Sequence, residues 1–503
     1  MKSRSHSSHD IKNDIKRTAG DSFIYIPSRI VPAIIGILLI RILTTIFSPE
    51  QYGFYQITLS TFGLIRVFSM IWLSASVTRL FMGYKNSNNQ PIFLSTLFLS
   101  SVVSSLVVAF LVYLINATYF QSRLDPQLYH LINLAIAASV FNSIFEIFVT
   151  VYRAGLQPKK YTLHWLLFSV GKPLLGLALI LLWDFGVEGI FWAFFMVPFV
   201  LEIVIFIDLG MIKTARWRNI SSTLFKQFAN YGPPISFSFL AFWMLSFSDR
   251  YLIEIFRETS EVGLYSVGYV ISEKTLNFAY AILMLAAFPI IVDTWERRGR
   301  EYTQELITEL ARYFLLLCTP ILVLLVALPK HILLILASEK FIAGADVLPL
   351  IAIGIFFFGL NQYVLKGLEL QKKSYKIALL ALIAGFFNIL FNIILIPKIG
   401  YIGPGISACS AYIIYFLFSF FVVKKELPFR LPFGIVRNIL LAALLDIAIL
   451  KLLGFAVEGL LVTLFVLIPV GILLFFAFLI VFKELKVSEL INGAKYIKGM
   501  LRI

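Results

Sequence analysis

Glu50-Gln51-Tyr52-Gly53-Phe54-Tyr55 returns 210 residues later as Ser260-Glu261-Val262-Gly263-Leu264-Tyr265. Farther along, the offset becomes 214. Gln157-Pro158-Lys159-Lys160-Tyr161 matches Gln371-Lys372-Lys373-Ser374-Tyr375, and Gly171, Gly186 and Gly189 fall on Gly385, Gly400 and Gly403. One such match would be weak, because loops favour Gly and Lys. Matches kept in register across consecutive segments mark an internal duplication, in which 22–209 repeats as 231–423. The segments between the matches are apolar. Of 503 residues, 59% are apolar and only 14% charged, where a soluble chain is near half apolar and a quarter charged. The composition excludes a soluble enzyme, a disulfide scaffold and a disordered chain.

Apolar runs long enough to cross a bilayer need about 20 residues each. Fourteen such runs can be placed: 22–47, 52–78, 91–115, 129–152, 162–183, 187–209, 231–256, 262–292, 305–328, 345–368, 375–396, 402–423, 433–450 and 455–482. The first is too long for the core of a cleavable signal peptide and carries Pro27, Arg29, Pro32 and Arg41, so it reads as a span. The expected fold is an all-α polytopic membrane protein of about 14 transmembrane helices. Two six-helix parallel repeats are followed by two C-terminal helices. The segments are a tail (1–21), a first lobe (22–209), an amphipathic linker (210–230), a second lobe (231–423), helices thirteen and fourteen (424–482) and a basic amphipathic tail (483–503).

The net charge of +15 sits oddly on so apolar a chain. With the N-terminus inside, inward segments and inner helix ends carry 30 of the 43 Lys and Arg, whereas outward loops carry six: Arg123, Arg257, Lys330, Lys340, Lys398 and Lys451. Cytoplasmic enrichment of this size is the positive-inside pattern, and an even span count puts both termini in the cytoplasm. The basic surplus therefore orients helices and contacts anionic lipid; it does not mark a nucleic-acid surface. Seven basic residues remain inside spans: Arg29, Arg41, Arg66, Lys172, Arg250, Lys274 and Arg312. Because six is an even number, the two repeats have the same orientation. Transporters built from parallel repeats place their site near mid-membrane and alternate access between its two sides.

Several segments carry a resemblance to a known family. They are Asn230-Tyr231-Gly232-Pro233-Pro234, Ser248-Asp249-Arg250-Tyr251-Leu252-Ile253, Val262-Gly263-Leu264-Tyr265-Ser266 and Gly400-Tyr401-Ile402-Gly403-Pro404-Gly405-Ile406-Ser407. With the six-plus-six-plus-two arrangement, they resemble the multidrug/oligosaccharidyl-lipid/polysaccharide exporter superfamily, and within it the polysaccharide-type lipid-linked oligosaccharide flippases. The resemblance runs from about residue 20 to 482, and Gly403-Pro404 departs from the Gly-Ala pair the family leads one to expect. It implies a flippase in the cell membrane that moves an undecaprenyl- or dolichyl-diphosphate-linked glycan to the outer leaflet. Such a protein would serve lipopolysaccharide, O-antigen or capsule export, alongside other polysaccharide-assembly membrane proteins.

An anionic diphosphate calls for a cationic central cavity. A charge at a helix centre costs about 2.5–3.5 kcal/mol on insertion scales, so one that persists there usually faces an interior or water. Arg66, Lys172 and Lys274 lie near the middle of their spans and are the leading substrate-binding candidates. Arg29, Arg41 and Arg250 lie six or seven residues inside span ends, roughly 10 Å, where a long side chain can snorkel. Arg41 and Arg250 are also within one position of repeat equivalence. They join the candidate list with Arg29, while Arg312 reads as an inner-end anchor. Asp249 and Glu273 can pair with neighbouring cations or bind a coupling ion, H⁺ or Na⁺. Glu146 and Glu202 can pair within the first half, and Asn388 and Asn392 are spaced to bond between helices. No cofactor or metal site is expected: the two cysteines sit in apolar runs and the five histidines are scattered. No phosphate-binding Gly-x-x-x-x-Gly-Lys-Ser/Thr loop occurs, and the outer loops are too small for a glycosyltransferase or polymerase site. The rival readings are a peptidoglycan lipid-precursor flippase, a drug/cation antiporter of the same superfamily and, remotely, a membrane glycosyltransferase.

Overall fold

The computed structural model describes residues 24–485 apart from 86, 215, 425, 428–432 and 457–458. The two tails expected from the sequence, 1–21 and 483–503, therefore lie almost wholly outside the described residues. All regular structure among the described residues is helical. The chain runs α1 (Pro27–Ile46), α2 (Pro49–Ser69), α3 (Ile71–Leu80), α4 (Gln90–Ile115), α5 (Pro126–Ala154), α6 (Pro158–Trp183), α7 (Glu188–Asp208), α8 (Ser222–Tyr231) and α9 (Pro233–Phe256). It continues as α10 (Thr259–Ala327), α11 (Pro329–Leu336), α12 (Leu348–Val364), α13 (Ser374–Ile399), α14 (Ile402–Val423), α15 (Phe433–Ala456) and α16 (Ile468–Val481).

Local chemistry sets the ends. Asp125 caps α5 by accepting from the Gln127 N–H, Ser221 caps α8 through the Leu224 N–H, and Pro opens α5, α6 and α11 where its missing N–H costs nothing. Gly186 and Gly400, 214 residues apart, both turn into the left-handed region (φ +54° and +60°) to lead into α7 and α14. An L side chain is disfavoured at such angles. The duplication read from sequence is thus repeated in backbone geometry.

Eleven helices among the described residues are long and apolar enough to span a bilayer, or twelve if α2 and α3, bent by 42° at Met70, form one span. The fourteen expected are not all counted. Residues 233–256 and the first part of α10 are helical, but Asp249, Arg250, Glu254, Glu261, Glu273 and Lys274 dilute their apolar character. The connection expected at 293–304 is helical as well, because its Glu- and Arg-rich sequence favours helix and only Gly299 (φ +80°) breaks α10.

The described residues divide into two compact units, residues 24–39 with 54–243 and residues 40–53 with 244–485. In the first, Leu73, Phe93, Phe145, Phe148, Tyr152 and Phe228 lie in a continuous buried core, with Phe145 stacked on Phe168 at 4.3 Å. Trp243 donates to the Ser60 carbonyl (3.0 Å), which ties the middle of α9 to α2 in this unit.

The second unit includes the end of α1 and the start of α2. Here the repeat becomes physical contact. A Cβ on Gly53 would run into the Thr259 carbonyl, and one on Gly263 into the Pro49 carbonyl. Pro49 and Thr259 are themselves 210 residues apart and open α2 and α10. Only glycine at both repeat positions lets the two helix starts cross so closely. Arg41 donates to the carbonyls of Leu334 and Ala337 at the end of α11, Thr44 Oγ1 accepts from the Ser338 N–H (3.0 Å), and Lys340 reaches the Thr45 carbonyl (3.1 Å).

Candidate functional site

In the first unit, α2, α5 and α6 bring together Arg66, Glu146, Asn142 and Lys172. Asn142 and Glu146 are one helical turn apart, so α5 presents both on one face. Arg66 Nη2 contacts Glu146 Oε2 at 2.5 Å; the Arg66 side chain is 39% exposed and that of Glu146 7%. Lys172 Nζ lies 3.5 Å from Asn142 Oδ1 and faces the rings of Phe168 (3.5 Å to the centroid) and Phe194 (4.4 Å). Asn142 is held for this role: its amide nitrogen donates to the Ala138 carbonyl (2.8 Å) and to that of Phe194. The cluster thus has two cations and one carboxylate. Arg66 keeps donors beyond the one given to Glu146, and Lys172 is held by a neutral amide and aromatic faces. An anionic oxygen set reaching both would complete the charge balance.

In the second unit the polar residues form a sealed network. Asp249 is fully buried; its Oδ2 accepts from Tyr265 (2.5 Å) and its Oδ1 from Asn392 (2.6 Å). Asn392 also donates to Asn388 Oδ1, and Asn388 donates to the Leu245 carbonyl (3.1 Å). Arg250, 1% exposed, donates to the Ser246 carbonyl of its own helix and lies over the ring of Tyr269 at 4.4 Å. Tyr269 and Tyr412 share a hydrogen bond of 3.0 Å. Asn388 and Asn392 therefore bond between helices, as their spacing suggested. Lys274 is 3.8 Å from Glu273, which also accepts from Asn277 (3.4 Å).

The structure brings Arg66 and Lys172 into one cluster and puts Asp249 and Arg250 in a network of their own. Arg41 and Arg250, near-equivalent in the repeat, differ: Arg41 is exposed and clasps α11 carbonyls, while Arg250 is buried beneath tyrosines. Arg29 is exposed on α1. Arg312 joins Glu309 (3.3 Å) and Glu484 (3.4 Å), in keeping with an anchor. Glu202 does not meet the Arg66–Glu146 pair; it bonds the Phe145 backbone, and its Oε1 is buried without a partner among the described residues. The sequence reading missed Asn142, although its position one turn before Glu146 was the available signal. It also missed Lys366, counted among end cations but buried and paired with Glu369 at 2.5 Å.

An uncharacterized membrane protein of Methanocaldococcus jannaschii is 24% identical over 418 residues, which cover 77% of this chain and 80% of the relative. Among solved structures, the lipid II flippase MurJ in an inward closed conformation superposes with a TM-score of 0.75 at 17% identity, covering 92% of this chain and 99% of that one. An inward-facing multidrug resistance MATE family transporter of the MOP superfamily gives 0.60 at 14% identity, covering 80% and 95%. A Vibrio cholerae MATE transporter, VcmN, gives 0.56 at 15% identity, covering 82% and 97%. At these identities the likeness establishes the fold. The family described as "Polysaccharide biosynthesis protein" matches residues 19–295, more than half of the chain. This multi-span membrane protein, with a fold shared with MurJ and the MATE transporters, belongs to the polysaccharide biosynthesis protein family.

Proposed function

We propose that the protein moves a lipid-diphosphate-linked oligosaccharide across the cell membrane by alternating access, with Arg66 and Lys172 holding the diphosphate. The observation that carries this reading is the charge balance of the α2–α5–α6 cluster. A cation within a span is expensive and is retained where a partner offsets it. Glu146 offsets one of the two, so an anionic visitor is the missing partner. Arg offers a planar fork suited to two phosphate oxygens, and Lys adds a compact point charge beside it. A drug or cation cargo would instead favour carboxylates facing it. Family membership supports a polysaccharide precursor as cargo, and the likeness to a lipid II flippase supports a lipid-linked one. The cell-membrane setting with both termini cytoplasmic belongs to the same proposal.

The test is export of polysaccharide in a strain carrying Arg66→Ala, Lys172→Ala or both in place of the native protein. Each single change should cut export while lipid-linked repeat units accumulate on the inner leaflet and membrane levels of the protein stay normal. Full export by both single variants and by the double variant would refute the assignment.

A further inference from the structure

Asp446 is fully buried on α15, and neither of its carboxylate oxygens has a hydrogen-bond partner among the described residues. It belongs to the packed stripe of its helix, with Ile439, Ala442, Ala443 and Leu450 buried on the same face. That stripe packs against α10 and α16. Three observations fix the register of α15 on the last part of α10. Asn438 and Arg312 both bind Glu484, Leu450 and Leu324 both close on Gly471, and Gly454 lies against Leu328. Each pair is separated by 126 residues, so the two helices run parallel and in step. Asp446 therefore lies level with Pro320.

Two features of α10 at that level can receive an acid. Pro320 has no N–H, so the Leu316 carbonyl one turn earlier lacks its helical donor. The neighbouring Thr319 hydroxyl is buried and also unpartnered. Among the described residues no counter-charge faces this level. On α10, Arg312 lies two turns inward, engaged by Glu309 and Glu484, and Tyr313 and Cys318 are the nearest other titratable groups. His331 lies beside Gly454, two turns outward. α16 and the turn before it, Thr463–Leu467, carry no titratable side chain. On α15 itself, Arg437 and Lys451 are both exposed.

We propose that Asp446 is a proton-binding site. It holds a proton as a neutral acid, gives its O–H to the Leu316 carbonyl that Pro320 leaves free, and so latches the appended helix pair onto α10. A bare carboxylate in a dry, apolar seam without a cation has nothing to offset its desolvation, whereas a neutral acid with an orphan carbonyl opposite satisfies both groups. Proton uptake adds H⁺ to one carboxylate oxygen, and release returns it to water. The proposal stands whatever cargo the protein carries, and its test does not use transport.

The full chain in lipid nanodiscs is examined by infrared spectroscopy at pH 7, with Asp446→Asn, which keeps the shape of the side chain, as the reference. The wild-type minus variant difference should show the C=O stretch of a neutral carboxylic acid. A second variant, Pro320→Ala, restores the backbone donor to Leu316 and should shift that band to the position of a more weakly hydrogen-bonded acid. Through the titration, each pH unit should change the ratio of charged to neutral acid about tenfold. A difference spectrum with only carboxylate bands at pH 7 would overturn the proton site. An acid band that does not move in the Pro320→Ala protein would overturn the latch.

Discussion

Arg66 and Glu146 show how much one contact decides within an apolar helix bundle. Glu146 is nearly buried, and its 2.5 Å contact with Arg66 gives its carboxylate a counter-charge there. Breaking a buried pair by removing one partner costs about 3–5 kcal/mol, because the other charge is left stranded. Arg66 is more than a third exposed, which reduces this to about 1–2 kcal/mol after solvent screening. Arg66→Ala alone therefore mixes lost binding with lost stability. Arg66→Ala combined with Glu146→Gln removes both charges and separates the two effects. The double variant should melt within about 1 kcal/mol of wild type and still fail to export, whereas Arg66→Ala alone should melt lower. If export returns with stability, Arg66 serves only the fold. At this scale the sequence was half legible. Mid-span position marked Arg66 and Lys172, because a charge there needs a reason. The partner of Arg66 lies 80 residues away on α5, and no spacing rule within one helix reaches that far.

Each repeat closes with an ion pair that joins the start of its fifth helix to the end of its sixth. In the first unit Lys160, on the first turn of α6, holds Asp208 at the end of α7 at 2.7 and 2.8 Å, and Tyr152 donates to the same carboxylate at 2.6 Å. In the second, Lys373 and Lys376 at the start of α13 hold Glu426, just past α14, at 2.6 and 2.9 Å. Hydrogen bonds from Lys373 and Lys376 hold the Glu426 carboxyl down to about 2. In an unfolded chain it would titrate near 4.3. The clamp's contribution is thus complete above that unfolded value and disappears as pH falls toward 2. Glu426→Gln should lower the melting temperature at pH 7 and match wild type as the pH approaches 2. An equal gap at both pH values would show that the charge of Glu426 does not hold these helices together. The helices themselves were legible as apolar runs. Their exact interruptions were not: α10 runs through a charged stretch read as a loop, because helix propensity there outweighs polarity until Gly299.

At the scale of the whole molecule, the duplication that precedes the appended helix pair remains recognisable in backbone detail, from the left-handed Gly186 and Gly400 to the mutual crossing at Gly53 and Gly263. That much could be read from motif spacing. Sequence order could not reveal that residues 40–53 pack with the second unit, since this depends on contacts such as Arg41 with the Leu334 carbonyl. The span count also rests on a physical question, because it fixes the side on which the chain ends. Apolarity alone selects eleven helices, or twelve with the bent α2–α3 pair, and leaves out α9 and the first part of α10. Both contribute to the Asp249 network, in which Tyr265 and Asn392 donate to the carboxylate and the Ser246 carbonyl accepts from Arg250, so both charges have partners inside the protein. Internally satisfied charge does not prevent a helix from crossing. The two segments should therefore cross, giving an even total with both termini on the side of the basic loops. Reporter fusions at the N-terminus, at the C-terminus and within 338–346 provide the check. The two terminal fusions should report the cytoplasm and the internal one the opposite face. Termini on opposite faces would mean that one of the charged helices stays out of the bilayer.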